Sequence, residues 1–217
     1  WCALMEGETM THSAQNPAAV GAICGGDMFN GTDFVTCDVF MADGRIVESA
    51  SQSEGQRIDA TGCYVIPGLV DIHFHGSVGA DISDGDLEGL HRMGAYEASR
   101  GITAMCPATM TLSEEQLSAA ATAAAEYVPT AVEADLVGIN MEGPFISPSK
   151  VGAQNPEFVR NPEVEEFNRL QKLSGGLFKL VDIAPEEPGA DAFIDALKDD
   201  VRISLAHSCA DYDTASH

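Results

Sequence analysis

The chain is short of positive charge. Eleven Lys and Arg stand against 34 Asp and Glu, a formal net charge of −23 over 217 residues. Nucleic acid and anionic membrane surfaces recruit clustered Lys and Arg, so this balance argues against both as partners. A small anionic substrate remains admissible, because groups local to a pocket decide its affinity. Long apolar runs are also missing: none approaches the ~20 residues that span a bilayer. The first residues carry neither a basic segment nor a long apolar one, so no secretory leader is expected. Cys2, Cys24, Cys37, Cys63, Cys106 and Cys209 form no C-x-x-C pair. With 45% apolar residues the chain can build a core without a disulfide framework, and reduced thiols in a cytoplasmic protein are the simpler expectation. There are no internal repeats and no low-complexity segments.

The chain opens at Trp1, with Met5 and Met10 as candidate starts, and closes on Asp211-Tyr212-Asp213-Thr214-Ala215-Ser216-His217, which reads as the first turn of a helix. Both ends lead us to expect a fragment. Residues 1–16 are polar and aperiodic, which predicts a loose tail holding His12. Residues 17–63 predict a small β domain: Phe34–Met41, the Asp43-Gly44 pair and Ile46-Val47 carry a hairpin signal. Residues 64–217 switch to apolar strands alternating with helices. Strands are expected at Tyr64–Ile72, Ile102–Pro107, Asp135–Met141, Leu177–Ala184 and Val201–Ala206. Helices are expected at Leu87–Arg100, Ser113–Tyr127, Pro162–Leu173 and Ala190–Lys198. Alternation of this kind predicts an α/β fold with a helix-covered parallel sheet, about five units of the eight that close a (β/α)8 TIM barrel.

The chemistry gathers where apolar runs stop. Ile66-Pro67-Gly68-Leu69-Val70-Asp71-Ile72 leads into His73-Phe74-His75-Gly76. Residues two apart on a strand share a face, so both imidazoles point one way. They serve either as metal or substrate contacts or as two hydrogen-bonded core histidines. Val137–Met141 leads into Glu142-Gly143-Pro144, and a carboxylate ending a buried strand is costly unless paired or bound to a cation. Alone, Glu142 could equally be a helix cap or an exposed loop acid. Ile203–Ala206 leads into His207-Ser208. Together His73, His75, Glu142 and His207 offer four N/O donors from the first, third and fifth strands, a set suited to one or two divalent ions. His91 falls within a helix and His217 at the end, and both are read as structural. Lys179 sits early in its strand, which points to a lower-layer role. The Gly152-Ala153-Gln154-Asn155-Pro156 loop could bind a ligand or simply turn.

From about Gly31 onward these segments resemble the N-acetylglucosamine-6-phosphate deacetylases of the amidohydrolase superfamily. The resemblance rests on Pro67–Gly76, on Met141-Glu142-Gly143-Pro144-Phe145 with Gly152–Pro156, on Ala184-Pro185-Glu186, and on Ala206-His207-Ser208. The first segment is widely shared in the superfamily; the Glu-Gly-Pro-Phe segment with its Gly-Ala-x-Asn-Pro continuation is far more specific. The resemblance implies a (β/α)8 barrel with a small β-sandwich element and a catalytic metal, zinc or iron, held by Glu142 and His207. His73 and His75 would form a second metal position that some members lack. Ala153 and Gln154 would contact the sugar, although many members carry His where this chain has Gln154. It implies deacetylation of an amino sugar phosphate and a homodimer. It also implies that no catalytic acid–base residue lies within this chain: the family's catalytic Asp, its next metal-binding His and most phosphate contacts would fall beyond position 217. A cyclic amidase, a deaminase or a non-catalytic piece are the alternatives.

Overall fold

The computed structural model describes residues 20–53 and 55–217. The expected tail over 1–16, with His12, lies outside the described residues. The chain divides into two compact units, Trp1–Leu69 and Val70–His217.

The first unit holds one mixed sheet. Its centre is β1 (Val20–Phe29), antiparallel to β2 (Phe34–Ala42), which in turn pairs antiparallel with β3 (Arg45–Val47). On the other edge of β1, β4 (Gln56–Asp59) and β5 (Tyr64–Val65) run parallel to it. The hairpin predicted at Asp43-Gly44 is present: Ala42 pairs with Arg45, and both turn residues take positive φ, at 50° and 70°. Two left-handed residues match the twist of the flanking strands, which is why Asp-Gly is favoured here. The core is small, built on Ile23, Val39, Ala60 and Val65.

The second unit carries β6 (Leu69–Asp71), β7 (Ile102–Met105), β8 (Asp135–Leu136), β9 (Ile139–Glu142), β10 (Phe178–Ile183) and β11 (Arg202–Leu205). The strand orders are β6-β7-β8 and β11-β10-β9. Strands β7 and β8 pair parallel, as do β10 and both of its neighbours. A parallel bridge between Ala108 and Asn140 stitches the two ladders together, with Thr109 N–H donating to the Asn140 carbonyl and Asn140 N–H to that of Pro107. The interleaved helices are α1 (Leu87–Ser99), α2 (Glu114–Glu126), α3 (Val164–Leu173), α4 (Ala190–Leu197) and the short α5 (Tyr212–Ser216).

Two expected strands are broken, each for a local reason. Tyr64–Ile72 splits into β5 and β6 around Pro67-Gly68, since proline offers no ladder N–H. Asp135–Met141 splits into β8 and β9 at Val137-Gly138. A Cβ on Gly138 would lie 2.6 Å from Lys179 Cγ and 3.1 Å from Cys106 Sγ, so the chain there passes too close to its neighbour for a side chain. The helices fall where expected. Helix α2 starts in a capping box, with Ser113 accepting from Gln116 N–H and the Gln116 side chain accepting from Ser113 N–H. Its Leu117, Ala120, Ala121 and Ala124 turn inward. Around the sheet ends, Phe145, Phe193, Phe167 and Phe178 pack edge-to-face at centroid distances of 5.2, 5.8 and 6.2 Å. All four are fully buried. Such pairs add roughly 0.5–1.5 kcal/mol each beyond area burial, and they fix the floor on which the Glu142 segment rests.

Candidate metal centre

Glu142 closes β9 and is 5% exposed. The residue after it has to be glycine. Gly143 adopts φ 77°, and a Cβ there would fall 2.0 Å from Thr111 Oγ1. The chain can therefore turn sharply and leave the carboxylate facing the strand ends.

Four side chains meet that carboxylate. His207 Nε2 lies 2.8 Å from Oε1, and the Gln154 amide donates to the same oxygen at 2.7 Å. His73 Nε2 and His75 Nε2 lie 2.9 and 3.1 Å from Oε2. Neither imidazole aligns a hydrogen bond onto Oε2, which is buried without a partner, as is His75 Nδ1. A buried carboxylate oxygen that two ring nitrogens approach without aligned hydrogen bonding is suited to a cation. The donor atoms of His73, His75 and Glu142 all lie within 4.8 Å of one another.

His73 and His75 sit just past β6. Backbone bonds from Cys106 N–H to the Asp71 carbonyl and from Ala108 N–H to that of Phe74 hold this stretch against the segment that follows β7. The rings stand edge-to-face at 5.3 Å. Gly76 then bends the chain away at φ 144°, where a Cβ would meet the Ala80 carbonyl oxygen at 2.2 Å.

His207 follows β11 with φ 48°, a left-handed conformation that costs a non-glycine residue energy. Neighbouring bonds hold it there. Ser147 N–H donates to its carbonyl at 3.0 Å, Ser208 Oγ donates to Glu186 Oε2 at 2.6 Å, and Cys209 N–H donates to Glu186 Oε1. The ring Nδ1 lies 2.8 Å from the Lys150 carbonyl, so it must be N–H, and Nε2 faces the donors' common carboxylate. Metal-binding histidines commonly hold the other ring nitrogen against a carbonyl in this way. Without a cation, both ring nitrogens face acceptors. Burial alone would lower the His207 pKa, yet the Lys150 carbonyl and Glu142 outweigh it and the net shift is upward. Burial likewise pushes Glu142 up, but the bonds from His207 and Gln154 and the His75 and His73 charges carry it below its usual value.

Ala153 is exposed, in the turn whose Gly152 packs beside the His207 ring. Gln154 is buried at 4% exposure. Its Oε1 accepts from Thr111 N–H at 2.6 Å while its amide nitrogen reaches Glu142. The expected sugar contact would have to use what remains of that amide. Lys179 is exposed and donates to the Gly176 carbonyl at 2.7 Å, at the start of β10. His91 pairs with Glu133 at 3.0 Å, a structural contact.

Sequence reasoning passed over two residues beside the cluster. Asn140 meets His73 Nδ1 at 2.8 Å through its amide nitrogen, and its Oδ1 is buried without a partner. Its position two before Glu142 on one strand was a usable signal. Asp182 is buried opposite Glu142 in the β9–β10 register. Burial raises its pKa, Ser204 and Asn140 pull it down, and the Glu142 charge adds to the rise. An acid inside the apolar run Phe178–Ile183 was its signature.

Three imidazoles meeting one buried carboxylate at the ends of an α/β sheet make a candidate divalent-metal centre. No protein-family model matches the chain. It is 34% identical over 181 residues to N-acetylglucosamine-6-phosphate deacetylase of Lysinibacillus sphaericus, a match covering 81% of this chain and 47% of that protein. The enzyme of the same name from Bacillus subtilis (strain 168) is 38% identical over 152 residues, 68% of this chain and 38% of the relative. A mutant N-acetyl-D-glucosamine-6-phosphate deacetylase from Mycobacterium smegmatis, solved in complex with N-acetyl-D-glucosamine-6-phosphate, superposes with a TM-score of 0.77 at 28% identity, over 89% of this chain and 51% of that one. Over most of its length the chain is similar to N-acetylglucosamine-6-phosphate deacetylases, and it spans less than half the length of these two curated relatives.

Proposed function

We propose that the protein carrying these residues hydrolyses the acetamide of N-acetylglucosamine 6-phosphate to glucosamine 6-phosphate and acetate, that its second unit is about five units of a (β/α)8 barrel, and that its first is a small β-sandwich element. We favour a β element that runs through β5 and a hydrolase part formed by the second unit, Val70–His217. The observation that carries the functional reading is the cluster itself: Glu142 shared between His207 on one oxygen and His73 with His75 on the other.

Glu142 and His207 would be the primary ligands of a divalent ion, zinc or iron, and His73 and His75 would hold a second. A bound divalent ion would supply Lewis acidity, polarising an acetamide carbonyl and making water more acidic. The protein's own part is orientation. Lys150 and Ser147 hold His207, Gly143 aims Glu142, and the exposed turn at Ala153, with what remains free of Gln154, offers the sugar its contacts. No acid–base role is assigned to a residue of this chain. A cytoplasmic homodimer acting on a small amino sugar phosphate completes the reading.

Two measurements test it. Cation content of the His73→Gln, His75→Asn double variant should fall at one position and persist at the other; loss of all cation would reverse the ranking of the two. Acetate release from N-acetylglucosamine 6-phosphate should be measured on this chain and on any longer product of its reading frame. A cation-loaded product that leaves the sugar phosphate intact and opens a cyclic amide instead would overturn the substrate assignment.

A further inference from the structure

Gln154 is a long polar side chain buried beside a carboxylate, and both ends of its amide are engaged. A backbone N–H can only donate, so the contact from Thr111 N–H at 2.6 Å requires oxygen at that end of the amide. The NH2 group must then face Glu142, where it donates to Oε1 at 2.7 Å. The orientation is therefore set by the backbone of the segment following β7 rather than by the site. Thr111 is itself held in place: its neighbour Met110 donates its N–H to Ser83 Oγ at 2.9 Å, and Thr111 Oγ1 reaches the Glu142 carbonyl at 3.4 Å.

One consequence concerns the carboxylate's two oxygens. Oε1 receives the Gln154 amide and His207, so its lone pairs are directed. Oε2 is left to His73 and His75 with no aligned hydrogen bond. Removing the amide would free the carboxylate to rotate and would strand the Thr111 N–H in the interior, each of which costs free energy.

We propose that Gln154 is a positioning residue of the cation site: it clamps Glu142 to the Thr111 backbone and fixes which oxygen faces each imidazole. This rests on the metal reading of the site above and deepens it. The clamp needs an acceptor at one end and a donor at the other, about one amide apart. A neutral imidazole offers the same pair across its ring, so histidine can replace glutamine there without breaking the clamp.

The test is cation affinity of the full chain, measured with Zn2+ against a chromophoric chelator, with circular dichroism as the check on folding. Gln154→Met keeps length and volume but has no donor and only a weak sulfur acceptor, and should weaken Zn2+ binding about 10–100-fold, the range found when partners of metal ligands are removed. Gln154→His should stay within about threefold of the wild type, a threshold well below that loss. A folded Gln154→Met chain with unchanged affinity overturns the clamp alone, because a space-filling residue would behave that way. If Gln154→Met does not fold, Gln154→His decides: retained affinity supports the clamp, and a loss of tenfold or more overturns it. A wild-type chain that takes up no Zn2+ overturns the clamp together with the metal reading.

Discussion

Replacing Glu142 by glutamine perturbs the cation site most directly, and its cost can be worked from the contacts. The carboxylate places one oxygen against His207 and Gln154 at 2.8 and 2.7 Å and the other against His73 and His75 at 2.9 and 3.1 Å. An amide has a single oxygen. Whichever way it turns, its NH2 group meets two of the four partners. Bonds to a charged group are worth about 1.5–3 kcal/mol and neutral ones about 0.5–1.5, so each contact that survives loses roughly 1 kcal/mol. The cation loses more, because Glu142 is the acidic member of the three-residue donor group it forms with His73 and His75. Removing only a partner of a ligand costs 10–100-fold in affinity, so removing this ligand's charge should cost at least about 100-fold, or ~2.7 kcal/mol. Equilibrium dialysis with metal analysis of Glu142→Gln against wild type measures it. Glu133→Gln is the control: it changes net charge equally, but Glu133 pairs with His91 away from the cluster, and its affinity should not move. A folded Glu142→Gln chain binding within threefold of wild type would refute the reasoning.

Cation affinity should fall as pH falls, and should begin to do so above the ordinary histidine value of about 6.5. The sign follows from His207: it ligates only when Nε2 is bare, and its raised pKa keeps the proton on to higher pH, while the depressed Glu142 stays ionised throughout that window. Affinity titrated from pH 5 to 9 that stays flat would count against His207 as a ligand. In the core, Phe193→Ala removes the ring that packs edge-to-face on both Phe145 and Phe167 and should destabilise the second unit by about 3–5 kcal/mol, read from urea unfolding; a cost under 1 kcal/mol would mean the aromatic floor is not continuous.

Much of this arrangement is legible in the residues because strand ends are marked by chemistry. A run of β-formers stopping at His or Glu marks a strand end, and the three imidazoles singled out this way do meet the Glu142 carboxylate. The helices were equally readable, since Ser113 and Gln116 write the start of α2 into the sequence. What periodicity could not supply was interruption. Val137-Gly138 looks like the middle of a strand until Lys179 of β10 and Cys106, just past β7, are seen to crowd it. The Gln154 contacts were hidden for a related reason. Its partners, Thr111 and Glu142, are 43 and 12 residues away, and nothing local distinguishes a glutamine that reaches inward from one that reaches into solvent. Asp182 lay in plain view as an acid in an apolar strand, but only the β9–β10 register sets it opposite Glu142.

The donors around Glu142 come from stretches of chain far apart: His207 is 65 residues from Glu142, and His73 and Asn140, two before Glu142, touch across 67. The cysteines that are described are all free, so no covalent link spans these distances among them. An ion held at this cluster would therefore be a reversible cross-link, tying strand ends where closing such long loops costs the unfolded chain the most entropy. By mass action it would add about 2.7 kcal/mol to folding at a free concentration one hundred times its dissociation constant. The supply of metal would then govern how long the fold survives as well as what it can do.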